Sequence, residues 1–206
     1  MNEPNDASSG QAGQLAKSNQ MDKLSIAVVW PITLCICLIN FGYVQGSFLR
    51  FTNITCESKD LSTSSIEYCY VGHLDRLRNY MSVRYKLVQP LQKDFFFRFR
   101  LMIRNRNSWQ PFLYAIDIDL CRFWKTRYNG LAKMLYGLIE GHTNLNHTCP
   151  YLKEKYVTID RVLNTDISKK IRGLPLGKGH YAVFTSWSWK NTTRAITNIY
   201  LEVLND

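Results

Sequence analysis

Apolar residues recur at every second position through most of the chain beyond residue 46, and at every third or fourth position in one stretch. Over residues 112–120 the even positions Phe112, Tyr114, Ile116, Ile118 and Leu120 are apolar and the odd ones include Asp117 and Asp119, the alternation of a half-buried strand. Over 93–104, Phe95, Phe97, Phe99, Leu101 and Ile103 share one face and Arg98, Arg100 and Arg104 the other, joined there by Phe96 and Met102. Residues 48–54, 66–74, 80–88, 156–163, 180–190 and 195–204 read as further strands, with a polar bend or bulge at 75–79 and a stop at Pro90. Cys121 closes the 112–120 strand and a polar turn follows. The helical period then appears: Leu131, Met134, Leu135, Leu138 and Ile139 stand at i, i+3, i+4, i+7 and i+8, between Asn129 as N-cap and Gly141 as C-cap. Residues 167–176 are basic and loop-like around Pro175.

Parallel strands would need a crossover helix between each pair, and the pattern supplies one helix, at about 130–140. The expected fold class is therefore mainly β, an antiparallel sandwich of two sheets with one inserted α-helix. No fixed-period repeat interrupts it, so residues 47–206 form one expected domain.

The first 46 residues have a different character. Residues 1–20 are polar and poor in aromatics, an expected disordered extension or upstream start. From Met21, a short charged segment precedes an apolar run from Leu24, and Val44-Gln45-Gly46 offers small-residue cleavage chemistry, so 21–46 reads as a secretory signal peptide. An uncleaved signal anchor tethering the protein to a membrane is the alternative, weakened by Pro31 and Asn40. The whole chain has 26 Lys and Arg against 16 Asp and Glu, and the part beyond the leader keeps a basic surplus of eleven. On an exported protein that surplus excludes nucleic acid as partner and leaves a membrane surface, a receptor, an acidic glycan or plain solvation.

Cys35 and Cys37 fall inside the leader, leaving Cys56, Cys69, Cys121 and Cys149. An even set in an exported chain implies disulfides, with three connectivities open to it. If Cys121 and Cys149 are bridged, the helix is stapled to the sheet at both ends, and closing such a loop stabilises by roughly 3–4 kcal/mol. Sequons at Asn53, Asn146 and Asn191 fit glycosylation of an extracellular surface.

Catalytic chemistry finds little footing. His73, His142, His147 and His180 are scattered without metal-ligand spacing, and the cysteines lack the close double pairs of a zinc site, so neither metal nor cofactor is expected. Asp117 and Asp119 could be a carboxylate pair for glycoside hydrolysis, but such alternation is ordinarily the wet side of a sheet. Gly177-Lys178-Gly179 lacks the strand-to-helix context of a phosphate loop and reads as a turn.

The chain is 13% aromatic, with Phe95, Phe97, Phe99, Tyr181, Phe184, Trp187 and Trp189 on strands. Such residues fill cores; two sheets lined by them and incompletely closed would instead hold an apolar ligand. The expected lining is Phe95, Phe97, Phe99, Leu101, Phe112, Tyr114, Leu135 and Trp187.

The ordered set Phe51-Thr52-Asn53-Ile54-Thr55-Cys56, Cys69-Tyr70, Pro111-Phe112-Leu113-Tyr114 leading to Cys121, Asn146-His147-Thr148-Cys149-Pro150-Tyr151, and Pro175 with Gly179-His180-Tyr181 resembles the insect secreted family called domain of unknown function 1091. The likeness spans residues 48–204, departing at Gly72, where a basic residue is usual. This family is similar to the chemosensory CheB proteins and, distantly, to ML-type lipid-recognition domains. The resemblance implies an immunoglobulin-like sandwich that opens between its sheets for lipid, without catalysis. It also implies a Cys121–Cys149 bridge and, with it, Cys56–Cys69. The expected function is a secreted, non-enzymatic carrier of a hydrophobic small molecule or lipid, in chemosensory or reproductive signalling. The alternative is a solid-cored glycoprotein recognising a receptor or acidic glycan through Arg98, Arg100, Arg104, Lys169, Lys170 and Arg172.

Overall fold

The computed structural model describes residues 47–153 and 155–205, and the leader expected at 21–46 lies outside them. Among the described residues eight strands appear in chain order: β1 (Ser47–Ser58), β2 (Ser64–His73), β3 (Asn79–Leu87), β4 (Phe95–Asn105), β5 (Ser108–Asp119), β6 (Tyr156–Leu163), β7 (Gly179–Trp189) and β8 (Thr192–Asn205). All pair antiparallel, in a five-stranded sheet of order β1-β8-β7-β4-β5 and a three-stranded sheet of order β2-β3-β6. The mainly β, two-sheet class is thus the observed one.

Among the described residues three helices are present where the sequence pattern offered one. The expected helix is α2 (Gly130–Ile139), with the Asn129 side chain accepting from the Ala132 N–H. Ahead of it, α1 (Leu120–Thr126) occupies what reads as a strand end and polar turn, started by Asp119, whose carboxylate accepts from Arg122 N at 3.1 Å. It buries Leu120, Phe123 and Trp124, an i, i+3, i+4 set too short to stand out as a period. The third, α3 (Asn164–Lys170), replaces part of the expected basic loop. Its buried face is Asn164, Ile167 and Ser168, so a hydrophobic count passes over it.

That polar face closes one side of the sandwich. Asn164, fully buried, donates through Nδ2 to Leu49 O and Leu77 O at 2.9 Å and accepts from Asn79 N at 2.9 Å. Asn79, also buried, donates to Phe51 O and accepts from Phe51 N, while Ser168 Oγ accepts from Leu49 N at 2.9 Å. The outer edge of β1, which would otherwise present unpaired backbone groups, is satisfied by three side chains. Cys56–Cys69 links β1 to β2 further along β1, with Cα atoms 6.2 Å apart. At the opposite edge of the large sheet β5 runs into α1, and Cys121–Cys149 ties α1 to the segment before β6, Cα to Cα 5.3 Å. Both bridges implied by the family resemblance are therefore formed.

Candidate functional site

The inward register of both sheets converges on a cavity of about 220 Å³. Its walls are Leu49 and Phe51 of β1, Met81, Val83 and Tyr85 of β3, Phe97, Phe99 and Leu101 of β4, and Tyr114, Ile116 and Ile118 of β5. Val157 and Ile159 of β6, Tyr181, Val183, Thr185 and Trp187 of β7, and Thr197, Ile199 and Leu201 of β8 complete the sheet walls. Helix α1 adds Leu120, Phe123 and Trp124, and α2 lays Ala132, Met134, Leu135, Tyr136, Leu138 and Ile139 across it, with Ile167, Ile171, Leu174 and Leu176 beside them.

Several hydroxyls of this wall are engaged by the protein itself, while the buried indole nitrogens of Trp124 and Trp187 have no hydrogen-bond partner. Tyr85 Oη hydrogen-bonds Thr197 Oγ1 at 2.8 Å, Thr185 Oγ1 donates to Thr197 O at 2.7 Å, and Tyr181 Oη donates to Gly177 O at 3.0 Å. Burial raises the phenol pKa of both Tyr85 and Tyr181, so both stay neutral. The space offers a ligand dispersion and desolvation and no anchoring charge.

Aromatic groups frame the cavity. Trp187 tilts on Phe97 at 4.6 Å between ring centroids. Trp124 meets Tyr136 edge-on at 4.8 Å and Phe123 at 5.2 Å, with the Arg127 guanidinium 4.0 Å from the Trp124 ring centre. Outside it, α2 is held at its C-terminal end, where Lys170 Nζ donates to Gly137 O at 2.6 Å and to Leu138 O. The chain after α2 then lies along β6: Asp160 N donates to His142 O at 2.7 Å and Thr143 Oγ1 to Thr158 O at 2.8 Å.

Of the lining residues expected from sequence, the structure places Phe97, Phe99, Leu101, Tyr114, Leu135 and Trp187 on the wall. Phe95 and Phe112 fall outside it. Phe95 points inward but packs beyond the end of the space, edge-on to Tyr151 at 5.7 Å and stacked near Trp187 at 5.8 Å. Phe112 sits where the β4–β5 register shifts and Leu113 takes φ 46°, which breaks the alternation and turns its ring onto Tyr181 at 5.6 Å. Sequence reading missed the α1 and post-α3 contributions, because Trp124, Ile171 and Leu174 lie in segments read as turn and loop.

The remaining candidates lie apart. Asp117 is bound by Arg100 and Arg98, and Arg100 foremost lowers its pKa, whereas Asp119 caps α1, so the two carboxylates do different jobs. Among the described residues no cluster of three or more His, Cys, Asp or Glu could hold a metal. The six basic residues suggested as a recognition face divide between two places. Arg98 and Arg100 on β4 serve Asp117, and Arg104 lies 5.8 Å from the Trp109 ring; Lys169 pairs with Asp166, Lys170 caps α2, and Arg172 is exposed just beyond α3. Asn53, Asn146 and Asn191 are all exposed.

Comparison with known proteins gives a partial match. Residues 97–183 match the family described as "Protein of unknown function (DUF1091)", a segment running from β4 into β7 that takes in Cys121 and Cys149 and is narrower than the expected span. No curated protein matches the chain. Among solved structures, chicken MD-1 complexed with lipid IVa is similar at 13% identity, covering 78% of this chain and 98% of that one, with a TM-score of 0.27.

Proposed function

We propose that this protein is a non-catalytic binder of a small apolar molecule, which it holds between its two sheets under α2. The observation that carries the reading is the cavity: about 220 Å³ of space walled by both sheets and α2, lined almost wholly by apolar side chains, with the hydroxyls of Tyr85, Thr185 and Tyr181 engaged by the protein. An apolar cavity of roughly 150 Å³ takes up benzene, so this one suits a single short chain or a compact hydrocarbon skeleton better than a lipid with several acyl chains. Two disulfides fit export to an oxidising compartment, and no helix among the described residues is long and apolar enough to cross a membrane. Carriage of a chemosensory or reproductive signal outside the cell is the role we assign to such a binder.

Native mass spectrometry of the exported protein, with titration of a fluorescent medium-chain fatty acid, tests the reading. A co-purified apolar molecule or saturable uptake at one site per chain is expected. Protein that emerges empty and takes up neither the fatty acid nor a medium-chain alkane would refute it.

A further inference from the structure

On the outer face of the five-stranded sheet, away from the cavity, lies a cleft of about 260 Å³ whose walls include Thr52, Asn53, Arg104, Trp109, His180 and Tyr200. A register shift between Phe51 and Asn53 makes it. Phe51 and Ile54 stay buried, so the extra residue leaves both Thr52 and Asn53 exposed, and Asn53 stands directly across from Tyr200. The cleft is floored by rings. Trp109 lies 5.6 Å from Tyr200, and Phe184 lies 6.1 Å from Trp109 and 6.2 Å from Tyr200. Ala182, an outward position paired with both Met102 and Tyr200, is fully buried in this part of the sheet. Arg104, His180 and Thr52, all exposed, stand around it as hydrogen-bonding groups.

Asn53 opens the sequon Asn53-Ile54-Thr55. Its Oδ1 accepts from Ile54 N at 2.8 Å, which fixes the amide plane and leaves Nδ2 as the outward group. We propose that Asn53 carries an N-linked glycan whose first sugar lies in this cleft against Tyr200 and Trp109, closing an aromatic surface that the protein leaves open. In the transfer, Asn53 Nδ2 bonds to the anomeric carbon of a lipid-pyrophosphate-linked oligosaccharide. The carbon–oxygen bond to the pyrophosphate breaks, the lipid pyrophosphate leaves, and the amide proton passes to base. The C–H face of a pyranose is electropositive and meets the negative face of an aromatic ring, while its hydroxyls reach the polar rim. The other two sequons lack such a seat: Asn191 is at the tip of the β7–β8 hairpin with φ 60°, and Asn146 is an exposed loop residue.

The full chain secreted from a eukaryotic host tests this. Glycopeptide mass spectrometry is expected to find Asn53 occupied. Thr55→Val removes the sequon at an exposed strand position and is expected to lower the melting midpoint by about 2–4 °C. Asn191→Gln should move it by about 1 °C or less. In a Trp109→Ala background, or Tyr200→Leu if that variant does not fold, the Thr55→Val loss should vanish. An unoccupied Asn53, or a Thr55→Val shift that is the same with and without the rings, overturns the proposal.

Discussion

The two edges of the large sheet are closed by different physics. At β1, backbone groups are taken up one by one by Asn79, Asn164 and Ser168, all buried, in a dry polar clasp whose partners are fixed in number and direction. At β5, closure falls to the apolar faces of α1 and α2, and their side chains meet empty space instead of a packed sheet. Hydrogen-bonded closure admits one geometry, whereas apolar closure over a cavity tolerates many arrangements of similar energy. The first edge sets the relation of the sheets; the second is where the proposed ligand would be covered.

The sharpest break of this comparison is Asn164→Ala. It strips partners from the buried Leu49 O and Asn79 N and from the half-buried Leu77 O, and at about 1–3 kcal/mol for each of the two buried groups left unpaired it should destabilise by roughly 2–6 kcal/mol. Urea unfolding measures it; a loss under about 1 kcal/mol would mean that β1 is not held by this clasp.

The disulfides come next and should separate by kind. Replacing Cys121 and Cys149 with Ser releases a 28-residue separation and should lower stability by about 3–4 kcal/mol, against about 3 kcal/mol for the 13-residue separation of Cys56 and Cys69. Only the first pair anchors the helices over the cavity, so only its loss should also weaken apolar-probe affinity in protein that remains folded. Equal affinities in the two variants would erase the distinction.

Titration adds two further handles, one at each end of the pH scale. Tyr151, buried on the helical side and donating to His147 O, has its pKa raised by burial to about 12. Its folded value exceeds its unfolded one, so its stabilisation is complete below pH 10 and is lost as pH rises from 10 towards 12, an effect of up to about 2–3 kcal/mol. Tyr151→Phe should flatten that alkaline limb in pH-dependent unfolding. Asp60, in the β1–β2 turn, is held at about 2 by hydrogen bonds from Ser62 and Thr63, with Arg194 alongside. Its contribution is present above pH 3.8 and is lost as pH falls towards 2, so Asp60→Asn should flatten the acid limb of pH-dependent unfolding and leave the alkaline limb unaltered.

The same contrast explains what the sequence could reveal. Period-two runs over 93–104 and 112–120 announced β4 and β5, since each alternation records one buried face. The stripe from Leu131 to Ile139 likewise announced α2, and its Asn129 cap held. The clasp was illegible because α3 buries Asn164 and Ser168, residues that read as solvent-facing until their partners 85 to 119 positions away are known. Most of the cavity wall was legible as inward positions. That those positions leave a gap was not, because a gap is set by how far apart two faces stand, which no single strand's pattern encodes.

The smallest expected effect tests that gap most directly. Leu135 sits on α2 with its side chain on the cavity, only half-buried despite its apolar surroundings. In a filled core Leu→Ala destabilises by about 2–5 kcal/mol, because lost transfer energy adds to a new void. Here the void already exists, so Leu135→Ala should cost only about 1 kcal/mol, near the transfer energy of the part that is buried. Leu135→Trp makes the converse case. Overpacking a full interior costs roughly 1–3 kcal/mol, whereas a larger ring entering open space should leave the melting midpoint unchanged or raised while displacing the fluorescent fatty acid. If the tryptophan variant is instead destabilised and still takes up the probe, the space under α2 is not the binding site, and the apolar edge closes the sandwich as firmly as the polar one.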